Sequence, residues 1–442
     1  MSESVTATPE SQSKPIRTGA LWIVLLVAWL GWMFDGMEMG LYSYQARPAL
    51  TDLMTLHNPA LRQMSVTDKT AFDALLGGHL SIMFALFLLG CSVGGFVFGR
   101  LGDKIGRVKT MIVTVLIYAT FTGLSAVTHN IWQFGACRFL GALGLGGEWG
   151  LGVALVMETW PNAKRPVLAG LLGSSANVGL IVSALASLWM ASFAKTHGIE
   201  HAWRYLFCIG VVPALLSLVI RCSVKEPERW VKARESGERP DLSQLMVPGI
   251  RRNTILACFI SAVPIIGTWG VFQWNPTWIG RLVEGDASKV AVATICMSVG
   301  ATIGSFFGGP MAEWIGRRVS YALFSITSLA SCIILYRVVD TYGLLMLLML
   351  GIAGVCTTAF FGWLPLYLPE LFPTRIRATG EGITFNFGRI IAAAMIVFGT
   401  GRLVAALGGD FAKATTIMSL IYVVGLALIW FVPETRHTKL PD

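Results

Sequence analysis

GRLGDKIGRVK, Gly99 to Lys109, returns in altered form as GPMAEWIGRR, Gly309 to Arg318, an offset of 210 residues between the leading glycines. Each copy follows a long apolar run, carries one acid, and closes on Gly-Arg. The correspondence continues on both sides. ETWP, Glu158 to Pro161, with Arg165 and Gly170, matches ELFP, Glu370 to Pro373, with Arg375 and Gly380, while Pro227-Glu228 and Pro433-Glu434 close the sixth and twelfth apolar runs. Three correspondences in the same order indicate duplication of a six-run unit. Parallel repeats of this kind build transporters whose substrate site lies between the halves near mid-membrane.

The composition agrees with that architecture. Of 442 residues, 54% are hydrophobic and only 13% charged, with 15 Trp and 24 Phe, far more apolar than an ordinary soluble domain. A helix crossing about 30 Å of hydrocarbon needs roughly 20 mostly apolar residues. That rule divides the chain into twelve spans, grouped as an N-terminal bundle over 19–222 and a C-terminal bundle over 253–432. Residues 1–18 are expected to be a disordered tail, 223–252 (with KEPERWVKARESGERPD) a linker, and 433–442 a second tail. The stretch 45–73 is expected as the longest outer loop. Placing the linker and both termini on the cytoplasmic side of the cell (inner) membrane puts most Lys and Arg inside. The first apolar run is too long for a signal peptide and lacks a small-residue cleavage site, so it is expected to stay as an anchor.

The net charge of +9 comes from short basic clusters between spans rather than one stripe, which argues against nucleic acid. The eight cysteines are scattered singly, mostly in apolar runs, without the spacing of a zinc site or a disulfide framework. No nucleophile–base pair, metal-ligand cluster or phosphate-cradling loop stands at suitable spacing. Neither an enzyme nor a bound cofactor or metal is expected.

The run Gly99-x-Leu101-Gly102-Asp103-Lys104-x-Gly106-Arg107 resembles the loop signature of the major facilitator superfamily, and Glu313, Gly316, Arg317 and Arg318 form the degenerate second copy. The resemblance implies an all-α membrane protein with twelve transmembrane helices in two six-helix pseudo-symmetric bundles. It also implies that Gly99, Asp103, Gly106 and Arg107, with Glu313, Gly316, Arg317 and Arg318, gate the cytoplasmic face by contacts that form in one state and break in another. Lys109 serves either gating or topology. Further stretches resemble the branch that carries organic acids and related metabolites with protons, including sialate, aromatic-acid, lactate and niacin transporters. FDGMEMGLY resembles that branch's first-helix signature, with Glu38 where Asp is usual; GLGGEWG, WRYLFCIGVVPALL and PELFPTRIRATGEG resemble its later helices. LAGLLGSSANVGLIVSALASLW lacks the Gly-Pro ending of drug antiporters, which sets drug export aside.

Charges inside spans are costly and mark function. Asp35 and Glu38, three residues apart, are expected on nearly one helical face, competing for a proton. Arg138, which resembles the family's fourth-helix arginine, is expected to join them by pairing with Asp35, and Glu148 lies further along the same helix. These four residues are the candidates for proton coupling. Arg389 with Asn386 would suit a substrate carboxylate, since a planar guanidinium grips both oxygens; pairing of Arg389 with Glu381 would weaken that inference. Gln273 and Asn275, among Trp269, Phe272, Trp274 and Trp278, would bind polar groups of a ring or sugar-like substrate. His79 is expected to be a packed histidine rather than a proton relay.

These features together predict a monomeric secondary transporter that brings a small organic anion through the lipid bilayer with protons by alternating access. A proton-linked carrier of sugars or neutral metabolites, and a sensor that binds a metabolite without moving it, are the alternatives.

Overall fold

The computed structural model describes residues 18–56, 58–161, 164–222, 224–235, 241–284, 286–438 and 440–441. The expected disordered tail, apart from Thr18, and part of the expected linker lie outside the described residues. Hydrocarbon offers no hydrogen-bond partner to a backbone amide, so apolar runs must satisfy their own polar groups as helices. The described residues contain no strand.

The first half comprises α1 (Thr18–Thr55), α2 (Pro59–Thr67), α3 (Lys69–Ile105), α4 (Arg107–Ser125), α5 (Ile131–Thr159), α6 (Arg165–His197) and α7 (Ala202–Arg221). A short α8 (Glu228–Glu235) follows. The second half comprises α9 (Pro248–Gly270), α10 (Asn275–Leu282), α11 (Ala287–Ile315), α12 (Arg317–Val338), α13 (Leu344–Tyr367), α14 (Arg377–Ala394), α15 (Gly401–Ala406), α16 (Phe411–Met418) and α17 (Ile421–Leu428). Among the described residues, 11 helical segments are long and apolar enough to cross a membrane. Helix α7 supplies the twelfth crossing.

The stretch 45–73 is helical rather than a loop. Helix α1 runs to Thr55, and α2 and α3 follow at once. The side chain of Asn58 accepts from the Leu61 amide to start α2, and that of Asp68 accepts from the Ala71 amide to start α3, which are ordinary N-caps. Pro48 inside α1 removes one amide donor without ending the helix.

Two single-residue joints fix the architecture at the opposite end. Gly106 alone separates α3 from α4, with φ 121° and ψ 151°, and Gly316 alone separates α11 from α12, with φ 96° and ψ 157°. A side chain would be strained in that backbone region. The motif glycines seen in sequence are therefore the residues that let successive spans reverse direction within one residue.

Within the halves, α5 packs on α3 and α4 as α13 packs on α11 and α12. The halves meet along two seams, α3 against α14 and α6 against α11. Glycines set the approach. A Cβ at Gly95 or Gly99 would strike Gly382 and Ala378 of α14, and one at Gly170 or Gly309 would strike Phe306 or Pro166 across the other seam. Small residues permit such backbone contact in membranes. Both seams close at the end bearing Gly106 and Gly316. At the other end the halves part.

Candidate functional site

Between the parted halves lies a cavity of about 1760 Å³. Its walls come from α1, α3 and α6 on one side and from α9 to α11, α13 and the segment after α14 on the other. Deep in it, Asn177 of α6 donates to Ser305 Oγ of α11 at 3.1 Å, and Thr358 of α13 donates to Ala301 O at 2.8 Å. Gln273 lines the cavity and donates to Ser43 Oγ of the other half at 3.4 Å. Tyr44, Phe84, Phe272 and Trp274 add aromatic faces, while the charged residues of the lining, such as Arg47, Asp52, Lys69 and Arg402, sit toward its mouth. Asn275 is turned away from it. Its Oδ1 accepts from Tyr336 Oη at 2.6 Å and its Nδ2 meets Met297 Sδ at 3.1 Å, so the amide joins α10 to α11 and α12.

Arg389 does not line the cavity. It lies on α14 two turns nearer the closed end than Ile396, which does, an axial separation of roughly 10 Å for a helix. It is 6% exposed, its Nη1 donates to Asn386 Oδ1 at 2.5 Å, and its Nε has no hydrogen-bond partner among the described residues. Asn386 in turn donates to Gly146 O of α5 at 3.1 Å, and its own carbonyl accepts from Ser92 of α3. Phe385, beneath the guanidinium, stacks on Trp149 at 3.7 Å between ring centres. The arginine and its amide are thus built into the junction of the halves. Glu381 is not its partner.

The acids of α1 diverge instead of sharing a partner. Glu38 pairs with Arg138 of α5 and also accepts from Thr122 Oγ1 of α4 at 2.8 Å. Arg138 donates to Ser125 Oγ at 3.1 Å and lies over Phe207, Tyr42 and Phe134. The expected pairing of Arg138 with Asp35 is therefore corrected to Glu38, because the carboxyl one turn further along reaches the α4–α5 face. Asp35, 2% exposed, lies on the other side, with Cys91 of α3 close to both it and Arg389. Glu148 accepts from Thr114 Oγ1 at 2.9 Å. His79 meets the carbonyl of Leu75, one turn earlier, at 3.0 Å.

The closed end is a latch of buried charges. Asp103 accepts from the amides of Ala378 at 3.2 Å and Thr379 at 2.8 Å and from Thr379 Oγ1 at 2.5 Å. It thereby caps the N-terminus of α14 from the other half, where unpaired amides and the helix dipole favour an anion. Arg107 bridges Asp103 and Glu158, each at 3.0 Å, and donates to Thr374 O at 2.7 Å; Glu158 also holds Arg377 at 3.0 Å. Arg377 reaches on to Pro441 O at 2.6 Å. In the second copy Arg317 joins Glu313 and Glu370, both at 2.6 Å. Glu434 accepts from the amides of Arg317 and Arg318, as Glu226 does from Val108 and Lys109.

These contacts refine the repeat. Glu226, not Glu228, corresponds to Glu434. Arg165 bonds Met157 O as Arg377 bonds Pro369 O, so its counterpart is Arg377 rather than Arg375. The copies differ at one decisive place. Where α14 offers the amide of Ala378 to Asp103, α6 opens with Pro166, which has none, and Glu313 turns to Arg317 instead. Glu158, Glu226, Glu370 and Arg377 carry the latch yet had no role in the sequence-based expectation. Glu158 and Glu370 stood in the matched ETWP and ELFP, which was the available signal.

Residues 21–395 match the family described as Major Facilitator Superfamily. The sialic acid transporter NanX of Escherichia coli (strain K12) is 28% identical over 370 residues, covering 82% of this chain and 83% of that protein. The cis,cis-muconate transport protein of Acinetobacter baylyi is 26% identical over 429 residues, covering 94% and 95%. The proton:xylose symporter XylE shares the fold, with a TM-score of 0.78 at 19% identity, over 96% of this chain and 98% of that one. Duplicated six-helix halves, glycine-jointed latches and this match over most of the chain lead to one statement: the protein is a member of the major facilitator superfamily, a transporter and not an enzyme.

Proposed function

We propose that this transporter imports a small organic anion across the inner membrane together with protons, by alternating access, with both termini and the latch on the cytoplasmic side. The observation that carries this reading is the large cavity between the halves, open at one end and closed at the other by charge contacts. Such an arrangement is one end state of a rocking exchange about a fixed site. Relatives that carry sialic acid and muconate support the anionic class. Arg389, buried beneath the cavity with an unused donor, is the cation an acid would reach as it descends. Gln273 and Asn177 receive its polar groups above. Asp35 and the Glu38–Arg138 pair take the proton, with Glu148 on the same helix as Arg138.

The test is uptake of labelled sialate, muconate, aromatic acids and nicotinate into proteoliposomes with an imposed pH gradient. Accumulation of one acid, dependent on inward proton flow, supports the reading; binding without uptake would make the protein a sensor. A second reading is favoured by the amides and hydroxyls of the deep cavity: a neutral hydroxylated metabolite. In that case Arg389→Lys leaves affinity unchanged, whereas a bound carboxylate loses its two-pronged partner.

A further inference from the structure

Glu381 lies beside the latch and, among the described residues, neither makes a hydrogen bond through its carboxyl nor forms an ion pair. It sits on the second turn of α14 and is 0% exposed. Arg377 of its own helix, Glu158 of α5, Arg107 of α4 and Asp103 of α3 are the charged groups that act on it. A carboxylate deprived of both water and donors is costly. Its neutral form is the one that suits this enclosure.

Arg377 stands four residues before Glu381, the spacing at which side chains on one helix meet. In this conformation Glu158, from the other half, holds Arg377 at 3.0 Å. When the halves part, Glu158 leaves with the first half, and Glu381 is the carboxyl that remains with Arg377 on α14. We propose that Glu381 is a proton-binding site built into the latch: it bears a proton while Glu158 holds Arg377, and releases it to pair with Arg377 when the latch opens. The step is Glu381–COOH to Glu381–COO⁻ plus a proton, which passes to water entering the parted seam. The swap gives α14 two discrete arrangements biased by one proton. This rests on the alternating-access reading but not on the identity of the substrate.

The test is the distance between spin labels at Lys104 and Trp314, exposed positions at the closed ends of the two halves, measured in nanodiscs without substrate. In the wild-type protein, raising the pH from 5 to 8 should shift the population toward the long-distance state, by up to about tenfold per pH unit for one proton. In Glu381→Gln the opening on raising the pH should be lost, leaving only the opposite response of Asp103. Glu381→Asp, which keeps the acid, should restore the shift at a changed midpoint. Asp103 acts with the opposite sign, because protonating it removes the acceptor for α14 and opens the latch at low pH. A wild-type response in Glu381→Gln, or net opening of the wild-type protein on acidification, would overturn the proposal. Proton-driven uptake by the wild-type protein is a separate measurement, so failure of the coupling reading would be seen on its own.

Discussion

Glu38 and Gly106 show how single residues here are constrained by physics rather than by chemistry alone. Glu38 neutralises Arg138 inside a ring of Phe207, Tyr42 and Phe134. Removing one partner of a buried ion pair leaves the other uncompensated, at about 3–5 kcal/mol. Glu38→Gln should therefore lower the unfolding temperature of the purified protein, and Glu38→Leu combined with Arg138→Met should recover much of it without recovering uptake. Gly106 holds φ at 121°, and Gly106→Ala should cost about 1–3 kcal/mol, read as thermal stability in detergent. The sequence made both acids of α1 conspicuous, but not their partners. A spacing of three residues shows that two carboxyls share a helical face; which neighbouring helix each one meets depends on a tilt and packing that no local pattern records.

At the scale of elements, helix ends carry the most information. Glu434 lies beyond the last span. Burial opposes its charge, yet amide bonds from Arg318, Arg317 and Arg436, with the Arg317 charge, outweigh it and hold the carboxyl below its usual range. A Glu in the unfolded chain titrates near about 4.3. Because the folded value is the lower one, its stabilisation is complete above the unfolded value and is lost as pH falls through the folded one. Wild-type protein should thus lose stability more steeply than Glu434→Gln on acidification below about pH 4; equal slopes in thermal unfolding would contradict the amide contacts. The glycine joints and the duplicated motif were legible because φ requirements and repeats are local. The extension of α1 and the helices over 45–73 were not, since QARPALTDLMT is polar enough to read as loop while its caps and its packing on α3 favour helix.

For the whole molecule, the two seams decide which conformation is reachable. Gly382 meets Gly95 backbone to backbone, so Gly382→Val should prevent closure at the latch end, seen as loss of the short Lys104–Trp314 distance with folding retained. Asp35→Asn should abolish accumulation driven by a pH gradient while sparing exchange of substrate across the membrane; unchanged accumulation would remove Asp35 from proton transfer. The family and the twelve crossings could be read from the chain because hydropathy and repeated motifs report on length and order. The position of Arg389 beneath the cavity could not, for the depth of a residue below a cavity depends on where two halves touch.

Helix α1 has 38 residues, about 57 Å at 1.5 Å per residue, against a hydrocarbon thickness of about 30 Å. Its last turns bring Arg47, Pro48 and Asp52 to the rim of the cavity, where Lys69 and Asp73 from the start of α3 join them. A small antibody fragment raised against this rim could stopper the protein without touching the bilayer, and would freeze one half of the transport cycle for study.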